Sequence, residues 1–459
     1  MADGVRRSEE VLPPGVRREE VLPPVASSTG VVSLIPLARK VGLSNKPSFE
    51  SGCLPVGEDE SEGDDEVAVC ARGHSEDADQ LKKIAEKKLQ LITPNPPKYR
   101  YSMEEDTELT MEDKEKMNQE EEEYAEYSRT IELSYRVRFE QRTTLSSMYF
   151  AHHTPRQIPF GIVSTEATLQ IFSFKIVSCE LSWPLYVYGL VAVRDQVDDH
   201  RNILFERRRR SAQLVTRDEP SLGLFGPFRA VSAVDPVKFE IELKLKGRTE
   251  SRDILLLKQG ANYSCSYNGF DTIDFSNCLC KAELSLEQLG DSVQATFLSV
   301  CVVEGGPCTF KYGGRVYCSA LAHEATVMDS KGNVEIVDPP SSQFVLIDSR
   351  DCAGGKLPMY DTGLLDLGRC VVSVPIYQCD DSSEQYDSSE QYDYSEQYEE
   401  SLKVVIEAYS PSGDVADHAH VKLRPKLSNT SRVECVLGNS KVEIIIAWSV
   451  MLKSKYYLI

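Results

Sequence analysis

The sequence predicts a mainly β protein, an antiparallel two-sheet β-sandwich with a barrel as the structural alternative, preceded by a disordered tail and one or two short helices. Three observations carry this. From residue 168 onward, about a dozen short runs rich in β-branched and aromatic residues are separated by Gly, Pro, Asp and Asn. No helical crossover pattern lies between them, which disfavours a parallel α/β sheet. The run FEIELKLK alternates cleanly, with Phe239, Ile241, Leu243 and Leu245 on one face and Glu240, Glu242, Lys244 and Lys246 on the other. That is the pattern of an antiparallel strand with one wet face.

Taken in order, residues 1–74 form a tail. GVRRSEEVLPP at 4–14 is repeated as GVRREEVLPP at 15–24, and seven of the nine residues at 58–66 are acidic. Neither composition can bury enough apolar surface to fold alone. Residues 75–144 read as a helical and linker segment. Asp77 caps a helix over 78–92 that Pro94, Pro96 and Pro97 stop, and a second helix starts near Thr110. Its glutamate run, Glu120 to Glu123, leaves it stable only if Met117, Tyr124 and Tyr127 dock on something.

Residues 145–459 form the β-rich domain. Its densest signals are the runs at 168–177 and 185–194, which read as a hairpin-like pair turning at Pro184, with Trp183 capping the core. Further on, 281–286 and 293–303 read as separate strands on either side of Gly290 and Asp291. A six-residue repeat, DSSEQY, DSSEQY and DYSEQY, fills 381–398 and predicts a disordered loop over 380–400. Loop-closure entropy grows only logarithmically, so such an insertion costs the fold little. A phosphorylation-regulated docking segment is the alternative for this loop.

Charge is unevenly placed. The net charge is -21, but residues 1–150 hold 31 acidic against 20 basic side chains and 380–400 hold nine acidic and none basic. The remaining body is close to neutral, which argues against a nucleic-acid groove covering the whole domain, because phosphate binding needs clustered Lys and Arg. Thirteen cysteines, an odd number, and a start without an apolar run predict a reducing compartment, cytoplasmic or nuclear, without a signal peptide or a membrane span.

Candidate chemistry is sparse. Arg207, Arg208, Arg209 and Arg210 are the one run of four basic residues, a candidate phosphate or partner contact against the alternative of a solvated hairpin end. Cys278 and Cys280 are two apart and share a face if they lie on a strand, where Cys265, Cys301 or His323 could complete a metal site; buried free thiols are the simpler reading. His418 and His420 likewise share a strand face, with no third ligand evident. There is no GxSxG or Walker A run, and the pairs Gly305-Gly306, Gly313-Gly314 and Gly354-Gly355 fit turns. The expectation is therefore no catalytic residues, no cofactor and no metal.

The blocks TLQIFSFKI, LSWPLYVYGLVAVRD, RNILFERRR, DPVKFEIELKLKG, VQATFLSVCVVEGG, RCVVSV, LKVVIEAY and VEIIIAWSVM resemble the plant domain of unknown function 6598, a family expanded in cereals, over about residues 145–452. The resemblance implies a β-rich module without an assigned activity, sometimes joined to a ribosome-inactivating rRNA N-glycosidase in jasmonate-induced proteins. That glycosidase half is not recognisable here: its helix motif E-A-A-R finds only Glu206-Arg-Arg-Arg, beside a strand. The expected function is a non-enzymatic module that binds a protein partner, in stress or defence responses. The alternative is an RNA- or ribosome-associated modulator of translation.

Overall fold

The computed structural model describes residues 110–147, 162–234, 236–305, 307–328, 334–377 and 399–454. The tail, the helix expected over 78–92 and the repeat at 381–398 lie outside the described residues.

Helix α1, Met111–Tyr135, begins where Thr110 caps it: the Thr110 hydroxyl accepts the Asp113 N–H at 3.1 Å, and Glu112 and Asp113 sit in the positive first turn. It ends at Arg136 in the left-handed conformation, φ 53°. Tyr124 and Ile131 are buried, while Met117 and Tyr127 are half-buried, so the docking expected of this charged helix occurs.

Among the described residues, twenty strands follow in chain order: β1 Val163–Ser164, β2 Glu166–Cys179, β3 Leu185–Arg194, β4 Asn202–Arg207, β5 Gln213–Val215, β6 Val231–Ser232, β7 Val237–Leu245, β8 Ile254–Tyr263, β9 Gly269–Ser276 and β10 Cys280–Glu304. The second half comprises β11 Gly314–Ala320, β12 Ala325–Met328, β13 Val334–Val337, β14 Phe344–Asp348, β15 Val371–Pro375, β16 Leu402–Tyr409, β17 Val415–Leu423, β18 Thr430–Leu437, β19 Ser440–Ser449 and β20 Met451–Leu452. They form a seven-stranded sheet (β18-β19-β10-β2-β6, with β9 and β15 also on β10), a five-stranded sheet (β4-β3-β7-β8, with β5 on β3) and a four-stranded sheet (β14-β11-β16-β17). β1 with β20 and β12 with β13 make two small pairs. None of these sheets closes into a barrel; the architecture is sandwich-like.

The seven-stranded sheet serves two cores. One gathers Leu169, Ile171, Phe174, Val187, Phe239 and Leu284 from β2, β3, β7 and β10, between this sheet and the five-stranded one. The other gathers Phe297, Val316, Phe344, Ile406, Ile444 and Trp448, between the same sheet and the four-stranded one. The bridge between them is β10, whose first half enters one core through Ala282, Leu284 and Leu286 and whose second half enters the other through Val293, Ala295 and Phe297. The two strands expected at 281–286 and 293–303 are thus one. Gly290 and Asp291 read as a turn but occupy a register shift between Leu289 and Ser292, an irregularity the strand absorbs without ending.

The hairpin expected at 168–194 does not form. β2 pairs with β10 and β6, whereas β3 pairs with β4, β5 and β7, so the turn carries the chain from one sheet to the other. Both strands have the apolar pattern of a hairpin, but they face each other across the core; the partner that settles the matter, β10, is about a hundred residues away. Trp183 is half-buried against the first core, and the deep tryptophan is Trp448, whose Nε1–H donates to Ser431 Oγ at 2.9 Å.

The β7 alternation holds on its inner face, where Phe239, Ile241 and Leu243 are fully buried. Its outer face is not all wet. α1 and the segment after it cover Lys238 and Glu240, and Tyr127 packs so closely over Gly260 that a Cβ there would stand 2.4 Å from its ring.

Arg369 ties the layers together. The register shift between Ser285 and Leu286 leaves Phe172 without a partner on β10. Into this bulge Arg369 donates to Ile171 O at 2.6 Å and Phe172 O at 3.1 Å, and its Nε–H reaches Gly226 O at 2.9 Å. Its guanidinium lies 3.7 Å from the centre of the Phe344 ring. Carbonyl oxygens rather than a carboxylate receive these bonds, and burial pulls the Arg369 pKa down to about 9. Arg369→Met should cost about 3 kcal/mol or more, since it strands three buried acceptors, and Arg369→Lys should recover little because an ammonium cannot span the three carbonyls. Urea unfolding checks this; an unchanged midpoint in either variant would show that the bulge does not need the guanidinium.

Candidate functional site

The densest polar construction is the loop 195–201 between β3 and β4, together with what closes on it. Arg194 and Asp195 end the VAVRD block, and both are buried. Arg194 Nε pairs with Glu240 Oε1 on the neighbouring strand β7, while Arg201 Nε donates to Glu240 Oε2 at 2.7 Å. The two guanidiniums lie 4.9 and 4.6 Å from the centre of the Phe139 ring. Arg194 also donates to Asp199 O at 2.8 Å and to Phe139 O, which pins the segment after α1.

A second half of the knot is built on Arg229. Its Nη1 and Nη2 donate to Asp195 Oδ2 and Oδ1 at 2.6 and 2.7 Å, and Nη2 also reaches Asp198 Oδ1 at 2.8 Å. Asp195 further accepts the N–H groups of Val197 and Ser232 at 3.2 and 2.8 Å. Thr143 donates to Asp198 Oδ2 at 2.6 Å. Burial opposes ionisation of Asp198, but the bonds from His200 and Thr143 and the charge of Arg229 outweigh it and hold the carboxyl well below the usual carboxylate range. Each oxygen of Asp195 and Glu240 accepts from a guanidinium. Chemically these carboxylates are struts that fasten four chain segments.

A second feature lies on the surface. Phe270 of β9 is 47% exposed, with its ring centre 5.6 Å from that of Phe172 and 4.8 Å from that of His323. His323 Nε2 stands 2.8 Å from Glu287 Oε1, and Glu287 is the cross-strand partner of Phe270. Tyr377, 43% exposed, has its hydroxyl pKa raised by burial and by Glu287. The Glu399 N–H donates to Tyr377 O at 2.9 Å, so the two flanks of residues 378–398 meet here. A cavity of about 20 Å³ touches Gln170, Glu287, His323, Ser319 and Ser401, room for one water rather than a substrate.

Apart from His323, which lies in the surface patch, the residues singled out by sequence fall elsewhere. Arg209 is committed to Asp253, at 2.7 and 3.0 Å, and to Gly247 O at 2.8 Å; Arg208 and Arg210 are exposed, and Arg207 is half-buried at the end of β4. Cys278 lies in the turn before β10 rather than on a strand with Cys280. The Cys280 thiol faces Leu256 O at 3.5 Å and Cys301 faces Thr362 O at 3.5 Å, while His323 faces Glu287. Among the described residues, no group of three or more His, Cys, Asp or Glu is placed to hold a metal ion. His418 and His420 do share the exposed face of β17. Sequence reasoning missed the knot and the patch, although the VAVRD block and the alternation that contains Glu240 were both in view.

Fold and site together define a double-cored β protein of antiparallel sheets, with a buried network of paired charges and a half-exposed aromatic cluster, Phe270 with Phe172, at β9. Residues 168–446 match the model of DUF6598, a domain of unknown function, and since this is more than half of the chain, the chain belongs to that family. No curated protein matches it. Human GIVD cytosolic phospholipase A2 is similar at 9% identity and a TM-score of 0.18, over 63% of this chain and 33% of that one, so the chain spans about a third of its length. A structure of the Extended-Synaptotagmin 2 C2A- and C2B-domains is similar at 11% identity and a TM-score of 0.19, over 66% of this chain and 97% of that one. The family match alone carries the assignment. Among the described residues, no helix is long and apolar enough to cross a membrane.

Because Asp198 has a folded pKa below its unfolded value, its contribution is complete above about pH 4 and is lost as pH falls further. Asp198→Asn should destabilise the protein at pH 7 by roughly 1–3 kcal/mol, with the gap to wild type narrowing in acid. Denaturant titrations at several pH values check this; a gap independent of pH would contradict it.

Proposed function

We propose that this protein is a non-enzymatic interaction module that binds a protein partner through the aromatic patch of Phe270, Phe172 and Tyr377. The supporting observation is that Phe270 and Tyr377 stand half-exposed, with the Phe270 ring packed on Phe172. Aromatic anchors surrounded by polar groups are the residues that dominate binding energy at protein interfaces. The family resemblance adds the setting: a plant protein acting in stress or defence responses. A second reading, an RNA- or ribosome-associated modulator of translation, is supported by Arg208 and Arg210, which are exposed.

The two readings separate in one experiment. The full chain, its Phe270→Ala/Tyr377→Ala variant and its Arg208→Ala/Arg210→Ala variant are used to recover partners from source tissue, with and without RNase. The protein-interaction reading expects partners that survive RNase and the arginine changes and bind the aromatic variant roughly tenfold or more weakly. Partners lost on RNase treatment and in the arginine variant, with binding that falls steeply as salt rises, would overturn it in favour of RNA.

A further inference from the structure

We infer that Cys179 and Cys280 form a redox-set staple, a thiol pair that closes to a disulfide across the neck of the five-stranded sheet. Cys179 is the last residue of β2 and Cys280 the first of β10, and the two are direct cross-strand partners. The chain between them carries the whole five-stranded sheet, β3, β4, β5, β7 and β8, together with β6 and β9, which pair with β2 and β10 of the long sheet.

The pairing type favours closure. Glu180 N–H donates to Leu279 O at 2.9 Å, which makes 180 and 279 the hydrogen-bonded pair of this antiparallel ladder. The adjacent pair, Cys179 and Cys280, is then of the non-hydrogen-bonded kind, whose Cα atoms lie about 4.5 Å apart with side chains on the same face. That separation is within the range of disulfides. Both side chains join the same core, Cys280 as a buried member and Cys179 packed at its half-exposed margin. In the structure both are thiols: Cys179 Sγ accepts the Leu181 N–H at 3.4 Å and Cys280 faces Leu256 O.

The oxidant is a low-molecular-weight disulfide such as glutathione disulfide. The Cys179 thiolate, the more accessible of the two, attacks one sulfur of that disulfide and expels a glutathione thiolate. The deprotonated Cys280 sulfur then attacks Cys179 Sγ and expels the second glutathione. Two protein thiols are oxidised, one glutathione disulfide is reduced to two glutathiones, and the two protons released are taken up by the departing thiolates. Burial raises the pKa of both cysteines, so closure is slow at neutral pH and accelerates as pH rises. Once formed, the bond closes a loop of about a hundred residues, the length regime in which a crosslink restricts the unfolded chain most.

The test equilibrates the full chain in glutathione buffers from reducing to oxidising and maps the thiols by differential alkylation and peptide mass. The expected product has two fewer of the thirteen thiols, a mass lower by two hydrogens, a linked Cys179–Cys280 peptide and an unfolding midpoint raised by several degrees. Cys179→Ser, at the half-exposed margin, should abolish both the link and the rise, whereas Cys278→Ser should leave both intact. Both cysteines remaining alkylatable in the oxidising buffer, or a link made through Cys278 instead, would overturn the inference.

Discussion

The structure depends on β10 being one continuous strand. Its 25 residues pair with β2, β9, β15 and β19, and its two halves supply side chains to two different cores. A strand fixed in register by one core is thereby fixed for the other, because a one-residue slip would turn the core-facing side chains of both halves outward. The five-stranded and four-stranded sheets each need an apolar surface to cover, and β10 is what makes both surfaces parts of one sheet. Arg369 reinforces the join from the side, through carbonyls of β2, Gly226 of the loop that follows β5, and the Phe344 ring of the four-stranded sheet.

Polar burial serves the same end. Glu240 between two guanidiniums, and Asp195 and Asp198 beneath Arg229, are costly to desolvate and are kept because each is matched by charge and hydrogen bonds. Such a knot holds the segment after α1, the loop 195–201, the loop at 229 and β7 in a single arrangement. Its groups are spent on one another, which directs attention to the surface, where Phe270 and Tyr377 stand half-exposed.

The sequence made the element types legible where the physics is local. The start of α1 is legible near Thr110 and alternation marks the inner face of β7, because a helix start and the two-residue strand repeat are written in neighbouring residues. Pairing is not local. The runs ending at Val177 and beginning at Leu185 carry the pattern of a hairpin, and nothing near them reveals that β10 claims one and β7 the other. Gly290 and Asp291 carry the composition of a turn, and only the strands on either side of β10 keep the chain extended there. The site was less legible still: Glu240 sits in the polar phase of a strand and reads as solvated, since the helix and the arginines that bury it are far off in sequence. The Phe270 patch joins three separate segments, each unremarkable alone.

The most direct test of this account uses the two tryptophans, one against each core: Trp183 packs on the first and Trp448 is buried in the second. Replacing each in turn by Phe leaves a single fluorescent reporter for one core, and denaturant unfolding is followed through each. A shared β10 predicts that, once each midpoint is corrected for the substitution by circular dichroism, both reporters and the secondary-structure signal trace one transition. Two separated transitions, with one reporter changing while the other stays native, would show that the cores fold independently and that the continuous strand does not bind them into one unit.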